Sequence, residues 1–204
     1  MNLAQAQRGL PKSRLEAFSD GVFAIVITLL VLEIKVPALS GPVSDAVLAQ
    51  ALLDGLPVLA SCIVSFAVIA IIWVAHHQFV HALRHVDWPL LWLNNLLLLF
   101  VIFIPIPTVM IGSYPSLAVP VLVYGVLMTM TGLAFCALRY YASYVGRLLD
   151  LPLEQLRRRM MTTAMAPTFY ALGAALAWRL PLLSVAIYVV LPLVYLVRPP
   201  GGRA

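Results

Sequence analysis

Charge is scarce in this sequence: 10% of its 204 residues are Asp, Glu, Lys or Arg, while 63% are hydrophobic. A water-soluble fold of that size could not hide so much apolar surface, so a soluble domain is excluded. Cysteine is nearly absent. Cys62 and Cys136 sit inside apolar stretches with no partner nearby in sequence and no metal-ligand spacing, which leaves them as small core residues. Also missing are a Gly-rich phosphate loop, a Ser or Cys nucleophile beside a base, and paired carboxylates on one intramembrane face. Enzymatic chemistry, a resident metal and a cofactor therefore have no sequence support.

What the chain has instead is long apolar runs, at about 17–36, 56–78, 89–111, 117–141, 160–178 and 181–198. A bilayer core of about 30 Å needs about 20 helical residues to cross it, so six spanning helices fit. Membrane strands are about half this length and alternate in polarity, which these runs do not. The joints "PALSGPVSD", "HALRHVDW", "GSYPS", "GRLLDLPLEQLRRR" and "WRLP" are too short for a second domain. The expectation is an all-α membrane protein, one six-helix domain over residues 1–204.

The charges that remain are unevenly placed. With the N-terminus inside, the inner face carries Arg8, Lys12, Arg14, Arg84, Arg139, Arg147, Arg157, Arg158, Arg159, Arg198 and Arg203, and only Lys35 and Arg179 lie outside. Basic residues in short loops stay on the cytoplasmic side, so both termini are expected to be cytoplasmic in a multi-pass protein of the plasma (inner) membrane. The same asymmetry accounts for the net charge of +5 as a basic skirt facing anionic lipid, without nucleic acid as a partner. A secretory signal cleaved after Ser40 would need about forty residues, beyond the usual ~15–30. The first helix is read as retained.

Two polar features interrupt the apolar pattern. His77, His81 and His85 recur at four-residue spacing, and on one continuous helix they would form a stripe. Gln78 stands in "HQFVH" where a zinc-protease helix needs its general-base Glu, so the cluster from His76 to His85 reads as an interfacial polar turn. The second feature is "RLEAFSD", where Ser19 and Asp20 open the first apolar run. A carboxylate facing lipid there would cost several kcal/mol, so Asp20 must face protein or water. Further along, Ile25, Thr28, Leu29 and Leu32 stand at i, i+3, i+4 and i+7 and share one helix face.

"RLEAFSD" resembles the Arg-x-x-x-Phe-Ser-Asp signature of the transmembrane protein 175 family of potassium channels, prokaryotic members of which are single six-helix chains. The likeness includes "GVFAIVITLLVLEI", "WVAHHQF" and "WLNNLLLLFVIFIPIPT" and fades after about residue 115. The resemblance implies a homotetramer in membrane lipid whose four first helices line a potassium pore. It assigns Arg14, Phe18, Ser19 and Asp20 to the motif and Trp73 and His77 to its support. The hydrophobic constriction falls to Ile25, Leu29 and Leu32, with Thr28 as the polar exception. No Thr-Val-Gly-Tyr-Gly filter loop is present, so selectivity would rest on an apolar ring that strips part of an ion's water. The alternative is a proton-linked carrier or proton pathway through Asp20, His77 and Glu33, although no internal repeat of the kind carriers use is apparent.

Overall fold

The computed structural model describes residues 11–38 and 44–197. Arg8, Arg198, Arg203 and the Ser40 cleavage position lie outside them. Among the described residues the chain is all helical: α1 (Lys12–Leu32), α2 (Asp45–Asp54), α3 (Leu56–His81), α4 (Trp88–Ile102), α5 (Pro105–Ser113), α6 (Ala118–Tyr140), α7 (Leu153–Leu176) and α8 (Pro181–Val197). A single π turn, Tyr141–Val145, continues α6.

Three elements depart from the pattern read in the sequence. The joint at 36–55, expected as a loop, contains α2, because Ser44 caps it by accepting from the Val47 N–H at 3.3 Å and Asp45 favours the positive end of the helix dipole. The third apolar run is broken after Ile102, since Pro105 has no N–H to continue the ladder and instead starts α5. The histidine stripe is also broken. α3 ends at His81, which leaves His85 off the helix.

Four segments are long and apolar enough to cross a membrane: Lys12–Leu32, Leu56–His81, Trp88–Ser113 and Ala118–Val145. Among the described residues α7 falls short in hydropathy because Arg157, Arg158 and Arg159 occupy its second turn, and α8 has only 17 residues.

One end of the bundle collects the basic residues. Lys12 Nζ donates to the His81 carbonyl at 2.5 Å, so α1 supplies a cation to the negative C-terminal end of α3. Beside it, the Arg84 N–H donates to the Leu148 carbonyl at 3.0 Å and the Arg84 guanidinium lies 3.4 Å from Asp150. Asp87 caps α4 through the Leu90 N–H at 3.0 Å and accepts from the Tyr141 hydroxyl at 2.7 Å. These contacts hold α1, α3, α4 and the end of α6 in fixed relation, which sets the frame for α1.

Membrane bundles pack closely where small residues let backbones approach. Here α6 meets α7 at Gly132, where an added Cβ would come within 2.8 Å of the Pro167 ring. Ser65 of α3 hydrogen-bonds Thr108 of α5 at 2.7 Å, which ties the helix restarted by Pro105 to the core. Cys62 is buried with its Sγ 3.6 Å from the Leu30 carbonyl, and Cys136 is half-buried; both are free thiols.

Candidate functional site: the two faces of the first helix

α1 divides its side chains between two opposite faces. Leu15, Ser19, Phe23, Val26 and Leu30 are buried against α3 and α4 at near-heptad spacing. On the other side Ile25, Leu29 and Leu32 are 60%, 40% and 70% exposed, with Thr28 among them and Phe18 at the basic end of the same face. Ile27, by contrast, is partly buried and packs on the core. The Thr28 hydroxyl donates to the Ile25 carbonyl at 2.8 Å, which consumes its proton and leaves its oxygen lone pairs as acceptors on that face.

The motif residues separate along the same division. Ser19 is 0% exposed and its Oγ accepts from the Asn94 Nδ2 at 3.1 Å. Asn94, also 0% exposed, is the middle of a chain, because its Oδ1 lies 2.7 Å from the Nε2 of buried His76. With its amide nitrogen committed to Ser19, Asn94 offers His76 an acceptor, so the imidazole donates through Nε2. Phe23 and Phe135 enclose that ring, at centroid distances of 5.5 and 6.4 Å. Three helices are thus joined by a dry polar chain in which every link is satisfied, and in a low-dielectric interior such a chain fixes one packing register.

Asp20 is half-buried at the edge of the buried face, where the Trp73 indole N–H donates to its Oδ1 at 2.8 Å. His77 is exposed and leans on Trp73 at 5.8 Å between centroids, then on His81 at 6.5 Å. Arg14 and Phe18 are exposed on the chain.

A family model described as the endosomal/lysosomal potassium channel TMEM175 matches residues 14–105. A potassium channel of Streptomyces collinus is 39% identical over 188 residues, which cover 89% of this chain and 90% of that one. The chain belongs to the TMEM175 family. A crystal structure of a lysosomal potassium-selective TMEM175 homologue from Chamaesiphon minutus matches the fold with a TM-score of 0.81 at 34% identity, covering 92% of this chain and 97% of that one. The bovine endosomal/lysosomal proton channel TMEM175 is 39% identical over 102 residues, 48% of this chain and 21% of that protein. The likeness to the bacterial relatives therefore runs well past residue 115, where the resemblance read in the sequence fades.

For a TMEM175-family chain the instructive residues are the two absent from the sequence-based site, Asn94 and His76. Both were legible as intramembrane polar residues, in "WLNN" and "WVAHH". What the one-dimensional pattern did not reveal is which of the adjacent pairs His76/His77 and Asn94/Asn95 turns inward. That depends on the rotation of α3 and α4 against α1.

Proposed function

We propose that this chain is one subunit of a potassium-selective channel, in which four copies, each crossing the membrane six times, place their α1 helices around a central pore. The observation that carries this reading is the two-faced α1. One face is sealed into its own bundle by Ser19, Phe23, Val26 and Leu30, so the exposed face of Ile25, Thr28, Leu29 and Leu32 is free to meet something else. Asn95 supports an intersubunit setting: it lines a groove with Phe18, Val22, Leu98, Leu99 and Ile102, and none of the described residues bonds its amide. An amide at that depth favours protein over lipid.

Four Ile25 side chains converging on an axis make a dry constriction. An ion passing it must shed water, which disfavours the more strongly hydrated sodium, and the Thr28 oxygens one turn further offer partial replacement. Bilayer recording of the purified protein under opposed potassium and sodium gradients tests this directly. A reversal potential near the potassium equilibrium value is expected; a reversal at zero current bias with equal sodium flux would remove the assignment.

A proton pathway is the second reading, and the bovine relative's description as a proton channel favours weighing it. It would use Asp20, His77 and His81 as its titratable groups along the edge of α1 and α3, with Trp73 holding Asp20 through its indole N–H and lying against His77. Under a pure pH gradient with potassium equal on both sides, a reversal potential that follows the gradient and is abolished by His77→Ala would select it.

A further inference from the structure

α6 and α7 are antiparallel, and two close approaches fix their register. A Cβ added to Gly125 would come within 2.9 Å of Ala174, and one added to Gly132 within 2.8 Å of Pro167. Each pair moves seven residues along both helices, about two turns. The next pair in that series is Arg139 with Met160, so Arg139 lies opposite the turn that carries Arg159. At the same level Tyr195 of α8 donates its hydroxyl to the Thr162 carbonyl at 3.1 Å, which closes the third side.

Arg139 is anchored on its inner side and unanswered on its outer side. Its guanidinium lies over Phe79 and Phe135, at 5.4 and 5.2 Å from the ring centroids, a cation–π seat on α3 and α6. Its Nε is buried and has no hydrogen-bond partner among the described residues. The one ion pair among the described residues is Arg84 with Asp150, so neither Arg139 nor Arg159 meets a carboxylate, and Glu154, the nearest acid on α7, pairs with neither. Two cationic side chains on neighbouring turns at the membrane boundary, with no acid among the described residues between them, repel, and a charge at that depth is retained where something of opposite sign answers it.

We propose that Arg139 and Arg159 form a cleft between α6 and α7 that binds the phosphate of an anionic phospholipid from the leaflet at the basic end of the bundle. This is a defined site, distinct from the diffuse attraction of the whole basic skirt. The planar guanidinium forks suit a phosphodiester, the outer flank of α6 and α7 is apolar and exposed at Leu133, Tyr140, Met161 and Met165, and the acyl chains would lie along it.

Native mass spectrometry of the purified full chain, given equal amounts of phosphatidylglycerol and phosphatidylcholine, is the test. Wild type should retain phosphatidylglycerol selectively. Arg139→Gln and Arg159→Gln should each weaken that retention by at least about tenfold, the loss expected for one charge-assisted contact. Arg179→Gln, exposed at the opposite end, should leave it unchanged. Because Arg159 is exposed, its variant keeps the test decisive if Arg139→Gln does not fold. Equal retention of both lipids by wild type, or unchanged selectivity in Arg159→Gln, overturns the site. So does displacement of the phospholipid by millimolar inorganic phosphate, which would mark a free-anion site.

Discussion

At the scale of single residues, position on α1 decides what a substitution does. If Ile25 forms the proposed narrow ring, Ile25→Asn would wet it and offer an amide oxygen to any small cation, so conductance should rise and the preference for potassium over sodium should fall. Ile27→Asn is the matched control two positions away, on the side packed against the core. Reversal potentials under a potassium/sodium gradient decide between them, and loss of selectivity in Ile27→Asn alone would mean the pore face is drawn wrongly. Asp20 tests the other face. Removing its carboxylate leaves the Trp73 N–H without its acceptor, and a hydrogen bond to a charged group contributes about 1.5–3 kcal/mol. Asp20→Ala should therefore lower the thermal midpoint and the yield of assembled protein. A variant of normal stability with altered selectivity alone would place Asp20 in the ion path.

Elements are held by contacts that tolerate little added volume. At Gly132 an alanine Cβ would stand 2.8 Å from the Pro167 ring, against a rigid side chain that cannot rotate away, so α6 and α7 must separate. Overpacking of this kind costs about 1–3 kcal/mol, and Gly132→Ala should lose thermal stability measurably while Gly21→Ala, with open space around it, should not. An equal midpoint for both variants would mean the helices meet elsewhere. Some helix limits coincide with a cap or a proline that the sequence displays: Pro181 starts α8, and Asp87 with Pro89 starts α4. The internal break after Ile102 was equally marked, by Pro105 and Pro107, but an uninterrupted hydropathy run obscured it. α2 was hidden for the opposite reason. Its ten residues lie beside a proline- and glycine-containing joint, and none of them is buried, so no periodic apolar face announced a helix.

At the scale of the whole molecule, the described residues form a helical bundle in which Ser19, Asn94 and His76, and Ser65 with Thr108, are paired inside, while α1 leaves the face of Ile25, Leu29 and Leu32 open. A pore shared between α1 helices needs several subunits, and fourfold symmetry is expected. Mass determination of the purified protein in detergent should give four chains; a monomer that still conducts would abolish the shared pore. Topology is tested from outside intact cells with single cysteines in a background lacking Cys62 and Cys136. Modification at Ser44 and protection at Gln155 are expected from the basic end gathered around Lys12, Arg84 and Arg157. The reverse pattern would invert the protein in the membrane.

Sequence alone determined the solvent and the class of fold, because hydropathy and charge are sums over side chains that no packing arrangement can alter. It also determined the family, since "RLEAFSD" and the helix after it are a linear signature, and with it the positions of Ile25, Thr28, Leu29 and Leu32 on one face, which follow from 3.6 residues per turn. Tertiary structure decided which of two neighbouring polar residues faces inward: His76 rather than His77 and Asn94 rather than Asn95 complete the chain to Ser19. It also decided the register that brings Arg139 of α6 to the turn of α7 that carries Arg159. Both outcomes depend on the rotation and register of one helix against another. Those are fixed by glycine contacts and side-chain volumes distributed over the whole bundle, and no short stretch of sequence contains them.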